Sequence, residues 1–290
     1  MSRPWTGSRA APRRDIRSND DRMELVHVIR PPYHRVGVTA MTSLGDHVFV
    51  VRHAYQVEVY DANTFAFTHP IRVPGLRNAR GLAACAHHKC LYISDLDFEA
   101  PRVYRVRLFS TDQEKWSVGF GPRGLSVNRD HNVVACFFGK IQEFTTHGTL
   151  VREIRLQASP WHAVQLSSGH YVISDWTSTG GLSVIDVDGQ VLCSSRSSHD
   201  EPLQCPTSLA VTKNDIFVVD QLSGSILLFD GSLSSARRLA LPVDGTSEPQ
   251  ALCLDESQGR LHLGELVGES RVLVFDVHRH STAANCGISR

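Results

Sequence analysis

One apolar position recurs along most of this 290-residue chain at a spacing that few folds accommodate. It opens a short apolar run each time, and successive occurrences lie 44, 43, 38, 46 and 43 residues apart. The six occurrences are Val38, Leu82, Leu125, Ala163, Leu209 and Leu252. Repeats of about 40 to 50 residues with several short strands each are typical of propeller blades, which stack around a central channel.

Each unit contains four strand-like runs. A first run such as RGLAAC (80–85) is followed by a run rich in Val, Ile and aromatic residues, such as CLYISD (90–95). The third run alternates apolar and polar residues, as in RVYRVRL (102–108), whereas the fourth is polar and irregular, as in EKWSVGF (114–120). The pattern therefore predicts that the fourth strand lies outermost, where half of it meets water.

The sixth unit lacks a fourth run of its own, and the missing strand is found at the other end of the chain. The segment MELVHVIRPP (23–32) resembles the fourth run TLVREIRLQ (149–157) of another unit. Joining both chain ends in one sheet leaves the ring without an open edge. The sequence thus predicts an all-β fold, a six-bladed β-propeller of four-stranded antiparallel blades closed by an N-terminal outer strand.

Charge and apolar content limit the domain plan and the partners. We expect a disordered leader at 1–22, the propeller at 23–277 and a disordered tail at 278–290. The formal net charge is zero and no run approaches the roughly 18 apolar residues of a membrane helix, so we expect neither DNA nor a membrane as partner. The Arg-rich leader lacks the apolar core of a secretory signal, which predicts a cytoplasmic protein. An upstream RING domain or coiled coil in a longer protein stays open.

Seven cysteines, an odd number placed mostly in strand-like runs, indicate free thiols in a reducing compartment. The segment CAHHKC (85–90) resembles a zinc-ligand cluster, but six consecutive residues of a hairpin turn hardly wrap a tetrahedral ion, and the C-x2-C pairing is missing. We therefore predict no metal and no cofactor. The redox state of Cys85 and Cys90 is left open.

Two further patterns bear on catalysis. GFGPRG (119–124) matches a dinucleotide-binding glycine pattern, but it precedes a strand instead of a helix, so we interpret it as a connector between blades. Asp95, Asp175, Asp220 and Glu265 end four of the second runs, where we expect each to accept backbone N–H groups from the loop that follows. No catalytic motif stands out, so we predict no catalytic residue. A metal-dependent propeller hydrolase, lactonase or lyase stays as an alternative.

The chain resembles the NHL-repeat propellers. The resemblance rests on PRGLSV (122–127) and PTSLAV (206–211), on the strand ends YISD, VISD and FVVD, and on ILLFDG (226–231). It covers about residues 24 to 277, is strongest from 80 to 220, and extends to a group of invertebrate NHL-like proteins. Blades 1 and 6 depart from the pattern, and Phe137 and Phe138 stand where an Asp is expected.

The resemblance implies a binding function, because NHL propellers are protein-binding or RNA-binding heads of tripartite-motif ubiquitin ligases, while some relatives are amidating lyases. We predict a non-catalytic protein-binding propeller, serving as a substrate-recruiting or scaffold module in a ubiquitin-ligase assembly. The chain has no C-x2-C, so the RING domain of such a ligase would belong to another chain or to an upstream segment. Binding of single-stranded RNA is the main alternative.

The predicted site is the ring face where fourth strands lead into first strands and where the loops between second and third strands emerge. Arginine beside exposed aromatic residues suits a protein hot spot or stacked RNA bases. In a plainer interpretation, Trp161 covers the core and each Arg pairs with a nearby acid. The predicted partner-binding residues are Arg80, Arg123, Trp161, His162, Phe98, Arg102, Phe138, Lys140 and Trp176, with His53 and Gln221 in neighbouring loops.

Overall fold

The structure is a computed structural model, and it describes residues 23–32, 36–52, 55–177, 180–195, 203–239, 241 and 248–277. The predicted leader and tail, with Cys286, lie outside these described residues, as does His53. Within them, 24 strands form six four-stranded antiparallel sheets and no helix. This confirms the six-bladed propeller. No helix in the described residues is long and apolar enough to cross a membrane.

The blades follow one another along the chain, and each is numbered by its first strand. Blade 1 comprises β2 (Val38–Leu44), β3 (His47–Arg52), β4 (Gln56–Asp61) and β5 (Phe67–Arg72). Blade 2 comprises β6 (Ala79–Cys85), β7 (Cys90–Asp95), β8 (Arg102–Arg107) and β9 (Gln113–Ser117). Blade 3 comprises β10 (Leu125–Val127), β11 (Val133–Phe137), β12 (Lys140–Phe144) and β13 (Leu150–Arg155).

The second half of the ring is built in the same way. Blade 4 comprises β14 (Pro160–Gln165), β15 (Tyr171–Asp175), β16 (Gly181–Ile185) and β17 (Val191–Ser194). Blade 5 comprises β18 (Pro206–Val211), β19 (Asp215–Asp220), β20 (Ser225–Asp230) and β21 (Ala236–Leu239). Blade 6 comprises β22 (Pro249–Asp255), β23 (Arg260–Glu265), β24 (Val272–Asp276) and the N-terminal β1 (Glu24–Ile29).

First strands line the channel, since each touches the first strands of both neighbouring blades. Second and third strands are buried almost throughout, as the burial of all six residues of β7 illustrates. Fourth strands are mostly exposed in β9 and β13, as their polar sequences predict. The glycine-rich segment 119–124 lies between β9 and β10, so it is a connector between blades 2 and 3.

The apolar core consists of clusters that each join two adjacent blades. Between blades 2 and 3, for example, Tyr92 and Val103 pack against Val133 and Phe144. Complete burial of such a side chain contributes roughly 1.5 to 3 kcal/mol to folding. Since every cluster draws on two blades, no blade is expected to be stable alone.

The ring closes where β1 pairs antiparallel with β24, with Leu25 opposite Phe275. A second contact reinforces this closure. The guanidinium of Arg52 donates to the Ser270 carbonyl of blade 6 at 2.7 Å and pairs with Glu58 at 2.9 Å. The β-ladder therefore holds the N-terminal strand in the last blade, and the buried hydrogen bond from Arg52 to Ser270 holds the last blade to the first.

The sequence ISD, which ends β7 and β15, connects neighbouring blades through its serine. Ser94 Oγ accepts the Gly81 N–H within its own blade and donates to the Arg123 carbonyl of the next, at 2.7 and 2.8 Å. Ser174 Oγ donates in the same way to the Thr207 carbonyl at 2.7 Å. These buried bonds fix where each following blade begins, which positions the residues described next.

Candidate binding site at the channel mouth

The channel mouth is the face of the ring where each first strand begins and each second strand ends. The residue two positions before the repeated apolar residue lies at this face in every blade. From blade 1 to blade 6 these residues are Val36, Arg80, Arg123, Trp161, Thr207 and Gln250. A cavity of about 30 Å³, room for a single water molecule, lies below the mouth and is lined by Arg80, Trp161, His162 and Gln250, among others.

Glycine follows both arginines because backbones of adjacent blades approach closely there. A Cβ on Gly81 would lie 2.3 Å from the Arg123 carbonyl oxygen, and one on Gly124 would lie 2.5 Å from that of Trp161. Gly124 N–H also donates to the Trp161 carbonyl at 2.9 Å. The sequence Arg-Gly-Leu thus places a long cation at the mouth immediately before a residue that must be small.

Arg123 lies over the rings of two adjacent tryptophans. Its guanidinium carbon lies 4.3 Å from the centroid of the Trp176 ring and 5.2 Å from that of Trp161. The two indoles meet edge to face at 5.7 Å, and Trp176 keeps 38% of its surface exposed. Cation–π contacts of this kind hold the guanidinium in one orientation. Trp161 therefore orients Arg123. The plainer interpretation, in which Trp161 only covers the core, does not account for this contact.

Arg80 and Arg123 have no acidic partner among the described residues. The Nε of Arg80 and the Nη1 of Arg123 are buried and lack hydrogen-bond acceptors there. Burial lowers the pKa of both guanidinium groups, and the charge of Arg80 lowers that of Arg123 further. Arginine stays protonated even so. The mouth therefore holds two partly desolvated and uncompensated positive charges, in contrast to the expectation that each Arg pairs with a nearby acid.

Gln250 is a site residue that the sequence prediction missed. Its side chain is 97% buried, since only 3% of its surface is exposed, and its Oε1 has no hydrogen-bond partner among the described residues. It lines the same cavity as Arg80. The signal was present in the sequence, because Gln250 occupies the repeat position of Arg80 and Arg123, but the prediction considered arginine and aromatic residues.

His162 closes the channel beneath the mouth. Its Nε2 lies 3.0 Å from the Leu125 carbonyl of blade 3, to which it donates, and its Nδ1 accepts the Leu209 N–H of blade 5 at 3.0 Å. Both nitrogens are used only in the neutral ring, and burial lowers the pKa of His162 to about 4. Below it, the channel widens to a cavity of about 530 Å³. His162 therefore holds three blades together instead of facing a partner.

The acids at the ends of second strands accept backbone N–H groups, as predicted, and the donors come from two segments. Asp175 accepts from Thr177 and Glu265 from Arg271, both at 3.2 Å and both in the loop that follows the second strand, as predicted. Asp95 accepts instead from Arg77 and Asn78 at 3.1 and 2.7 Å, and Asp220 from Gln204 and Cys205, in the connector that precedes the first strand. The reason is antiparallel pairing, which sets the end of a second strand beside the start of the first.

The remaining predicted residues do not line the cavity. Phe98 and Phe138 are 82% and 75% exposed, in loops farther from the channel axis. Lys140 pairs with Glu153 at 2.9 Å, and Arg102 lies opposite Asp95 in the ladder between β7 and β8. Of the predicted set, the structure brings together Arg80, Arg123, Trp161, Trp176 and His162.

The segment 85–90 lies in the turn between β6 and β7, on the opposite face of the ring. Cys85 Sγ lies 3.3 Å from His88 Nδ1, and the ring of His87 stacks on that of His131 at 4.2 Å. Both Cys85 and Cys90 are free thiols. In the described part of the chain, no group of three His, Cys, Asp or Glu side chains is arranged to hold a metal ion.

Comparison with known proteins supports the fold and leaves the family open. No family model matches the chain, and no curated protein matches it. Among solved structures, the WD40 β-propeller domain of Doa1 superposes with a TM-score of 0.63 at 13% identity, covering 88% of this chain and 96% of that one. The NHL-repeat assignment therefore stays a prediction.

Two enzymes have similar structures. Streptogramin B lyase gives a TM-score of 0.61 at 12% identity, with 88% of this chain and 87% of that one covered. Hydrazine synthase of Kuenenia stuttgartiensis gives 0.60 at 18% identity, with 84% and 78% covered. At such identities the likeness shows a shared propeller fold, and function has to be argued from the site.

Proposed function

We propose that this propeller is a non-catalytic protein-binding module that engages its partner at the channel mouth. The observation that carries the proposal is the contact of Arg123 with the ring faces of both Trp161 and Trp176, with the charged Arg80 nearby. Tryptophan and arginine dominate binding energy in protein interfaces, above all where they are held rigid before binding.

The polar groups beside the mouth support binding more than catalysis. Both nitrogens of His162 are engaged by backbone groups, and the carboxylates of Asp95 and Asp220 accept backbone N–H groups. A general base needs a free acceptor directed at substrate. In contrast, the unpartnered groups here are arginine donors and the amide oxygen of Gln250, none of which moves protons at neutral pH.

The narrower form of the proposal follows from the NHL resemblance. A propeller head that captures a substrate for a ubiquitin ligase needs a rigid, partly aromatic surface and no catalytic group of its own. The channel mouth has such a surface, and the catalytic RING domain would then be supplied by another chain or an upstream segment. Recruitment of a substrate protein to such an assembly is therefore the narrower function that we propose.

Capture from native lysate tests the proposal, with the wild-type chain compared with Arg123→Gln and Trp176→Ala. The matched controls are Arg129→Gln and Phe109→Ala, which alter an exposed arginine and an exposed aromatic ring in turns on the opposite face. We expect specific proteins that bind the wild type and both controls and are lost in both mouth variants, with and without ribonuclease. Loss in the controls as well, or dependence on intact RNA, would contradict the proposal.

A further inference from the structure

We propose that Arg80 and Arg123 form a carboxylate subsite, which takes one acidic residue of the partner, either an Asp or Glu side chain or the C-terminal carboxylate. This inference rests on the proposed function, since it names the chemistry by which the channel mouth recognises a protein. It is argued from charge, from unused hydrogen-bonding groups and from the orientation of Arg123.

The first argument is that the most buried arginines among the described residues are paired with acids. Three largely buried arginine side chains each pair with a glutamate: Arg52 with Glu58 at 2.9 Å, Arg105 with Glu114 at 3.1 Å and Arg271 with Glu265 at 2.8 Å. Arg80 and Arg123 lie side by side without an acid among the described residues. Two like charges held in a partly desolvated place are costly unless an anion joins them.

The second argument concerns the unused polar atoms. The Nε of Arg80 and the Nη1 of Arg123 are buried, but both side chains are only half-buried, and their other guanidinium nitrogens have no hydrogen-bond partner among the described residues. These nitrogens are donors that a ligand at the mouth can reach. A carboxylate has two acceptor oxygens, so one carboxylate can bind donors of both arginines.

The third argument is orientation. Trp161 and Trp176 contact Arg123 over their ring faces, so they restrict the guanidinium without using its N–H groups. The donors of a guanidinium lie in its plane, where they can form paired bonds with the two oxygens of a carboxylate. The arginine is thus already ordered before a ligand arrives, which reduces the entropy cost of binding.

The surroundings favour a protein carboxylate over RNA. Single-stranded RNA is bound along a row of cations that follows successive phosphates. Lys140, on the same face, is already paired with Glu153. The nearby loop after β7 carries Asp97 and Glu99, which lie 3.3 and 3.8 Å from Arg77. A compact pair of cations suffices for one carboxylate but does not form such a row.

NMR titration of the ¹⁵N-labelled chain tests the subsite, with the Arg80 Nε–H and the Trp161 and Trp176 indole N–H signals as readout. The probes are three capped pentaglycine-based peptides: one with a central glutamate and an amidated end, one with a central glutamine and an amidated end, and one of glycine alone with a free C-terminal carboxylate. Inorganic phosphate and a uridine oligonucleotide complete the series. The variants are Arg80→Gln and Arg123→Gln, with Arg129→Gln as the matched control.

We expect saturable shifts with the glutamate peptide, with the free carboxylate peptide, or with both, and the two arms show which carboxylate is preferred. Binding should weaken at least tenfold in Arg80→Gln and Arg123→Gln and stay unchanged in Arg129→Gln. Equal binding of the glutamine peptide, no shift with either carboxylate peptide, or tighter binding of phosphate or the oligonucleotide would each overturn the subsite.

The two proposals fail separately. If the lysate experiment yields a partner that requires Arg123 and Trp176 while neither carboxylate peptide binds, the mouth is a protein-binding site without a carboxylate subsite. If carboxylate peptides bind through both arginines but no protein depends on the mouth, the subsite chemistry is confirmed and the proposed function is wrong. Circular dichroism melting of each variant shows that a lost signal reflects the site and not unfolding.

Discussion

Acid should destabilise this propeller through His162, and the structure gives the size of the effect. The ring is neutral because Nδ1 accepts the Leu209 N–H while Nε2 donates to the Leu125 carbonyl. Protonation would turn Nδ1 from an acceptor into a donor facing another N–H. Together with burial, this explains why its pKa is lowered from the ordinary 6.5 to about 4.

The sign follows from proton linkage. Between pH 6.5 and 4 the unfolded chain carries a proton on this residue that the folded chain lacks, so stability falls as the pH falls. One proton corresponds to about 1.4 kcal/mol per pH unit, and the whole interval to about 3 kcal/mol. Above pH 6.5 the contribution is complete, and below pH 4 it is lost. Arg80, on the same cavity, stays charged throughout and adds no titration there.

Urea unfolding between pH 7.5 and 4, followed by tryptophan fluorescence, measures this contribution when wild type is compared with His162→Gln. Glutamine supplies one donor and one acceptor but no titratable ring. The variant should be less stable at pH 7.5, and its deficit should shrink by about 3 kcal/mol as the pH falls to 4. A deficit that stays constant over this range would show that His162 does not bind its proton as the structure implies.

Three further predictions concern stability at neutral pH. His262 is fully buried, burial lowers its pKa to about 4, and neither ring nitrogen makes a well-formed hydrogen bond within the described residues. Since replacing it loses no such bond, His262→Leu should keep or raise the melting temperature, and a fall of several degrees would contradict this. Gly81→Ala should cost about 1 to 3 kcal/mol in urea unfolding, because its Cβ meets the Arg123 carbonyl, whereas Gly119→Ala, with open space around its Cβ, should cost far less. Glu58→Gln should cost about 3 to 5 kcal/mol by leaving Arg52 buried without its anion, and a change below 1 kcal/mol would show that the Ser270 carbonyl suffices.

The fold was predictable because the blade is a local pattern repeated six times. Each of its strands pairs with a neighbour only a short turn away, as β6 does with β7, so the alternation of apolar and polar residues carries most of the information. Even the closing strand β1 could be found, since its sequence resembles a fourth strand that the last blade lacks. Ring closure is a long-range contact, but it could be predicted because the last repeat has one strand-like run fewer than the others.

The site was predictable only in part. Arg80, Arg123 and Trp161 share one repeat position, so finding one located the others. In contrast, the bonds of His162 join residues 37 and 47 positions away and have no counterpart at Gly81 or Gly124. Lys140 belongs to the predicted loops, but it forms an ion pair with Glu153 on the adjacent strand. Side-chain pairing of this kind depends on packing that a strand pattern does not contain.

The contrast between two adjacent positions is the reason why we propose the mouth as the binding site. The position immediately before the repeated apolar residue holds Gly37, Gly81, Gly124, Ser208 and Ala251, with His162 as the large exception. Close approach of the neighbouring blade limits it to small residues, or to one that bridges the channel. The preceding position meets no such limit, and it holds two arginines, a tryptophan, a threonine, a glutamine and a valine. A ring that must be nearly symmetric to close can bind an asymmetric ligand only where its packing leaves a position free, and here that position carries the unpaired charges.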